Sequence, residues 1–166
     1  FDVVPVVSIS DSQRVPLPHA NYIATVRGGL PERLLLPGFG ACGYLAFLGR
    51  ISPEKAPDAA IRIAAKAGMP LKIAAKVDRV DEEYFAERIK PMLGAAHVEF
   101  IGEIGEDRKA EFLGNAAALV FPIAWREPFG LAMIEAMACG TPVIAMRNGS
   151  VPEVIDHGVP GFVVYG

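Results

Sequence analysis

Long apolar runs, paired cysteines and basic stretches are what this 166-residue sequence lacks. No stretch approaches the roughly 20 consecutive apolar residues that cross a bilayer as a helix, so no membrane segment is expected. The first residues show no charged-then-apolar leader pattern. Cys42 and Cys139 are the whole cysteine complement. They stand far apart, in no metal-ligand spacing, and are expected as buried thiols rather than a disulfide. His19, His97 and His157 fall in unrelated segments, so each reads as a surface or turn histidine and no metal site is expected. The net charge of −3, with no basic stripe, argues against a nucleic-acid surface. Neither the phosphate loop G-x-x-x-x-G-K-[ST] nor the dinucleotide fingerprint G-x-G-x-x-G occurs, which disfavours ATPases and NAD enzymes. No internal repeat or low-complexity segment interrupts the chain.

What is present is a core. Apolar residues make up 52% of the chain and charged ones 21%, a composition that folds rather than stays disordered. Residues 1–41 hold short apolar runs broken by Pro16, Pro18, Gly28, Gly29, Pro31 and Pro37. They read as strand (3–9), loop, strand (22–26) and linker, without helical period. From Gly43 onward the texture is regular. Strands are expected at 44–48, 71–77, 98–101, 118–121, 143–146 and 162–164. Helices are expected at 57–67, 81–93 with a bend or end near Pro91, 107–115, 130–138 and 151–156. Pro57 opens the first of these and Gly68 closes it. The acidic run Asp81-Glu-Glu83 reads as a charged first turn. Continuous apolar strands alternating with helices predict an α/β fold, a doubly wound Rossmann-like parallel sheet. Its ligand edge lies beyond the strand C-termini, where the loops at 49–55, 102–109 and 122–130 fall.

Each of these loops carries chemistry. In Glu127-Pro-Phe-Gly-Leu-Ala-Met-Ile-Glu135, the N–H groups of Phe129, Gly130 and Leu131 are first-turn donors without helical partners, suited to a phosphate or a sugar hydroxyl. Glu127 and Glu135 are either surface acids or a pair of carboxylates for vicinal hydroxyls; the apolar neighbours of Glu135 argue against a solvated face at that position, and the residue chemistry leaves both readings open. Gly49-Arg-Ile-Ser-Pro-Glu-Lys55 sets Arg50 and Lys55 on a turn that could grip a diphosphate without metal, or simply carry two surface cations. Gly102-Glu-Ile-Gly-Glu-Asp-Arg-Lys109 offers Ile104 to a base and Lys109 to phosphates, or is a plain polar turn. Trp125 reads as core packing rather than a sugar platform, and Met133 and Met137 as core.

Taken together the motifs resemble the C-terminal donor-binding domain of GT-B retaining glycosyltransferases, family 4 or "group 1". Arg50 and Lys55 match that family's G-R-x(3–5)-K turn, and Glu127 and Glu135 its E-x7-E motif. Arg147-Asn-Gly-Ser-Val-Pro-Glu153 resembles its G-G-x-P-E turn, with Asn148-Gly149-Ser150 a departure expected to touch no donor contact. Gly158-Val-Pro-Gly161 resembles the G-x-x-G turn that follows.

The resemblance implies that Arg50, Lys55 and Glu127 are the catalytic set. Arg50 and Lys55 would hold the donor diphosphate; Glu127, with Phe129, Gly130 and Leu131, would hold the sugar and adjacent phosphate. Glu135 would bind the ribose, Ile104 the base, and Lys109 would assist near the nucleotide. The donor would be a UDP-, GDP- or ADP-linked sugar, with no cofactor or metal required.

Residues 1–41 resemble the end of the acceptor domain and the crossover, leaving 42–166 as the nucleotide-sugar-binding domain. Both chain ends then read as cuts within a larger protein or as omitted flanks. The partner would be the acceptor domain of the same parent chain, and the isolated piece is expected to bind donor and transfer nothing. A cytoplasmic location follows from the resemblance, with peripheral membrane attachment through the missing domain as its variant. A GT-B nucleotide-sugar epimerase and a non-catalytic degenerate module are the competing readings.

Overall fold

The computed structural model describes residues 3–38 and 42–165. The expected boundary at residue 41 and the two chain ends lie outside the described residues. Among the described residues there are eight strands: β1 (Val6–Ser8), β2 (Tyr22–Thr25), β3 (Leu45–Arg50), β4 (Leu71–Lys76), β5 (Val98–Gly102), β6 (Ala118–Phe121), β7 (Val143–Met146) and β8 (Gly161–Val164). Five α-helical segments join them: α1 (Pro57–Ala67), α2 (Glu82–Tyr84), α3 (Glu106–Gly114), α4 (Leu131–Ala138) and α5 (Val151–Val154). β1 and β2 form a small parallel pair, and the other six strands form one sheet in the order β5-β4-β3-β6-β7-β8. Every neighbour in that sheet is parallel. This is the doubly wound arrangement read from the sequence.

Side chains of successive strand residues leave on opposite faces, and the core divides accordingly. Leu45, Phe47, Ile73, Ala75, Ala118 and Val120 pack with Ile61 and Ala64 of α1 on one face. Ala46, Ala74, Leu119 and Phe121 pack with Leu113 of α3 and Met133 of α4 on the other. The central strands β3, β6 and β7, covered on both sides, read as apolar runs without polar alternation, while β4 and the edge strand β5 carry the Lys72–Glu99 pair.

The order turns around between β3 and β6, and there the sheet opens. β3 pairs with β4 over six registers. It meets β6 at two, Leu45 with Ala118 and Ala46 with Leu119. Their C-terminal ends therefore part, leaving a crevice between the loops that follow, the place where open α/β sheets bind ligands.

Several expectations need correction, among them Cys42, which is exposed rather than buried, while Cys139 is buried as expected. The single helix at 81–93 is instead a 3₁₀ turn (Arg79–Asp81), α2, a wide i→i+5 turn (Phe85–Ile89) and a 3₁₀ turn (Lys90–Met92). Pro91 has no N–H for the helical ladder and its ring crowds the carbonyl one turn back, so the last turns change pitch. Asp81 is not an exposed first-turn acid. It is buried and faces Arg50 Nε at 3.6 Å. A short 3₁₀ turn at Ser12–Arg14 also stands in the segment read as loop.

Candidate functional site

A cleft of about 490 Å³ lies at the switch point, lined by the ends of β3 and β6, the loop after β6, the start of α4, and Lys109 of α3. That volume falls within the roughly 300–1,000 Å³ range of small-molecule sites. Its β3 wall supplies Lys55, whose Nζ reaches Glu127 Oε2 at 2.6 Å. Trp125 donates its indole N–H to the same oxygen at 3.0 Å. Glu127 is 6% exposed, so it is no solvated loop acid, and its buried oxygens need such hydrogen-bond donors. Trp125 is 43% exposed, which corrects its reading as core packing.

The α4 wall supplies Glu135, also buried. Its Oε1 accepts from Lys109 Nζ at 2.8 Å, and Lys109 also donates to Glu106. Burial opposes the charge on Lys109, but the bonds to Glu106 and Glu135 outweigh it and hold its pKa above the ordinary lysine value. Nearby, burial and then the Glu135 charge push the Cys139 thiol up. The two cation–carboxylate pairs thus come from four separate loops or helices and face one cavity.

Between the pairs runs the start of α4. Gly130 caps the helix at φ 85°, and a β-carbon there would lie 2.5 Å from Met133 Cε. The left-handed φ is what favours glycine here, since the Met133 methyl could move aside. Among the described residues, the N–H groups of Phe129, Gly130 and Leu131 donate to no protein acceptor. Phe129 is buried, with its ring against the backbone of Gly28, while Leu131 is half exposed at the cleft. Free donors, a helix N-terminus and flanking cations suit an anionic, hydroxyl-rich ligand.

Two expected site residues lie elsewhere. Arg50 turns away from the cleft toward Glu54 (2.6 Å), Asp78 and Asp81 (3.6 Å each). Glu54 is held below the ordinary carboxylate range, first by a backbone hydrogen bond and then, against burial, by Arg50. Ile104 lines a separate cavity of about 370 Å³ between α3 and the sheet, with Tyr44, Lys72, Glu99 and Phe112.

Sequence reasoning missed Ile9 and Leu48, which line the cleft, and misjudged residues 148–150. The turn expected to touch no donor contact lies directly under the loop that carries Glu127. Ser150 N–H donates to Glu127 O at 2.9 Å, and Ser150 Oγ bonds Phe129 O at 2.8 Å. The Asn-Gly pair was a legible turn signal after an apolar strand, and turns after neighbouring strands share an edge.

The six-stranded parallel sheet with its helices matches one Rossmann-like unit of GT-B glycosyltransferases. The chain belongs to the family "Glycosyl transferases group 1", whose model matches residues 43–166. It is 33% identical over 161 residues to the D-inositol 3-phosphate glycosyltransferase of Streptomyces griseus, an alignment covering 90% of this chain and 32% of that protein. Among solved structures, the sucrose-phosphate synthase of Thermosynechococcus elongatus superposes with a TM-score of 0.83 at 22% identity, over 97% of this chain and 45% of that one. Anabaena HepE, solved in complex with UDP and glucose, superposes at 0.78 with 21% identity, over 96% and 49%. The chain thus spans about a third of the length of the curated relatives it matches. No helix among the described residues is long and apolar enough to cross a membrane.

Proposed function

We propose that this chain is the donor-binding part of a retaining glycosyltransferase that uses a nucleoside-diphosphate sugar. The observation that carries the reading is the convergence of Lys55–Glu127 and Lys109–Glu135 on one cleft beside the free N–H groups of α4. Lys55 and the α4 N-terminus hold the diphosphate, Glu127 the sugar, and Glu135 with Lys109 the ribose. Arg50 joins the diphosphate after leaving its acidic neighbours. The complex of HepE with UDP-glucose supports a nucleotide-sugar ligand for this kind of fold.

In transfer, the bond from the sugar anomeric carbon to the leaving phosphate oxygen breaks while the acceptor hydroxyl bonds to that carbon on the same face. The acceptor proton passes to the departing phosphate. Lys55 and the α4 donors stabilise the charge that builds on the diphosphate, the largest contribution a preorganised site makes. No metal enters this account. The acceptor is held by the remainder of the parent chain, of which residues 1–41 are the end, and the site faces the cytoplasm.

Calorimetric titration of this chain with UDP-, GDP- and ADP-glucose, each beside its free nucleotide, tests the reading. Binding to one of the three is expected, without turnover. A folded chain that binds none of them refutes the donor site.

A further inference from the structure

The loop after β6 carries Glu127, Phe129 and Gly130, yet it has little structure of its own. Its described backbone bonds run outward, from Ala124 N–H to Glu54 O and from Ser150 N–H to Glu127 O. What lies beneath it is the turn after β7. Asn148 Nδ2 donates to Ile123 O at 2.7 Å. Gly149, at φ 58°, lies so close that a β-carbon would be 2.3 Å from Glu127 O and 2.4 Å from Glu127 N. Ser150, fully buried, donates twice, through N–H to Glu127 O and through Oγ to Phe129 O. Three consecutive residues thus touch the loop at its start, its middle and its end. Such fixed side-chain bonds to carbonyls set where a loop stands, since a buried carbonyl without a partner is strongly disfavoured.

We propose that residues 148–150 form a shelf that positions the Glu127 loop against the sugar of the donor, with Ser150 Oγ as the positioning group. The inference rests on the donor reading above, and it assigns this turn a part in sugar recognition. Ser150 touches no ligand. It acts through the Phe129 carbonyl, and the Asn148 bond holds the opposite end of the loop. The ribose end of the cleft, Glu135 and Lys109, stands on other elements and receives nothing from the shelf. The consequence is selective: loosening the shelf weakens recognition of the sugar while sparing the nucleoside.

Trp125, the sole tryptophan, sits in this loop with its indole bonded to Glu127, so its fluorescence reports on loop order directly. The test compares Ser150→Ala with Thr141→Val. The second variant removes another buried hydroxyl-to-carbonyl bond, Thr141 Oγ1 to Leu113 O at 2.6 Å, away from the cleft.

In Ser150→Ala, acrylamide quenching of Trp125 is expected to rise. Affinity for the tightest of UDP-, GDP- and ADP-glucose is expected to fall about tenfold, the size of one lost hydrogen bond. Binding of the matching free nucleoside stays within about twofold. In Thr141→Val, thermal stability drops while both readouts stay at the unaltered level. Equal changes in the two variants, or an equal loss for the free nucleoside, overturn the proposal. If Ser150→Ala does not fold, Asn148→Ala at the partly buried end of the shelf serves instead; unchanged quenching and sugar affinity there also overturn it. Failure of the unaltered chain to bind any of the three sugars refutes the donor reading, while the Trp125 response still decides whether the shelf orders the loop.

Discussion

Lys55 Nζ lies 2.6 Å from Glu127 Oε2, across the gap where β3 and β6 part. The cation proposed to hold the phosphate is therefore paired with the carboxylate proposed to hold the sugar. Under the proposed assignment, a diphosphate competes with Glu127 for Lys55. Glu127→Gln removes that competitor and one negative charge, so UDP alone is expected to bind about three- to tenfold tighter. UDP-glucose gains less or weakens, because the sugar loses its acceptor. Parallel titrations of the two ligands check this, and unchanged or weaker UDP binding contradicts the assigned competition.

Lys109 and Glu135 make the second pair, with side chains 16% and 10% exposed. Lys109→Met leaves a buried carboxylate without its cation, which costs on the order of 1–3 kcal/mol. Because the folded-state pKa of Lys109 is raised, its contribution is fully present below the ordinary lysine value. It is lost as pH climbs through the higher folded value. Denaturation of the two proteins is expected to differ by a constant amount from neutral pH upward, with the gap narrowing in strongly alkaline solution alone. A gap that closes below pH 9, a limit well under the ordinary lysine value of about 10.4, contradicts the pairing.

Some of this was legible in the sequence, for reasons tied to particular residues. β6 and β7 fall where their apolar runs predict, because a strand buried on both faces has no freedom of composition. α1 falls on its expected span because Pro57 and Gly68 punctuate it. Asp81 was misread because its partner Arg50 lies 31 positions earlier, and no local pattern records a pairing made through β3 and β4. The burial of Glu127 was hidden likewise, since it depends on Lys55 arriving from another strand. The contact of Ser150 with the Glu127 loop follows from the adjacency of β6 and β7. Topology alone places those two turns together, and the sequence names only the turns.

The junction of α1 with α2 offers a test of the fold. Asp58 accepts from Tyr84 Oη at 3.1 Å and pairs with Arg62 Nη1 at 2.9 Å. Burial pushes Asp58 up, but the bonds from Arg62 and Tyr84 outweigh it and leave its pKa lowered. Its stabilisation is therefore present above the ordinary carboxylate value and lost as pH falls through the lower folded one. Tyr84→Phe is expected to cost about 1 kcal/mol near neutrality and to move acid unfolding to higher pH. Burial, with the Asp58 charge, pushes Tyr84 up to about 12. Burial also raises Tyr44, so ultraviolet titration should show late-titrating tyrosines of which Tyr84→Phe removes the one near 12, and an unchanged alkaline curve contradicts the contact.

Arg50 poses the sharpest question about the site, since its side chain is 45% exposed and bonded to Glu54 at 2.6 Å, away from the cleft. If Arg50 grips the diphosphate as proposed, the acids around it hold it back. Replacing Glu54 with glutamine weakens that hold and costs little elsewhere, because exposed ion pairs contribute at most about 1 kcal/mol. Glu54→Gln is then expected to tighten UDP binding about two- to fivefold, and Arg50→Ala to weaken it about as strongly as Lys55→Ala does. The double variant Arg50→Ala/Glu54→Gln separates the causes: with the guanidinium gone, the Glu54 change gains nothing beyond the small effect of removing a nearby negative charge. If Arg50→Ala leaves UDP affinity unchanged while Lys55→Ala lowers it, Arg50 is a structural cation that ties β3 to Asp78 and Asp81. Lys55 and the α4 N–H groups would then hold the diphosphate without it.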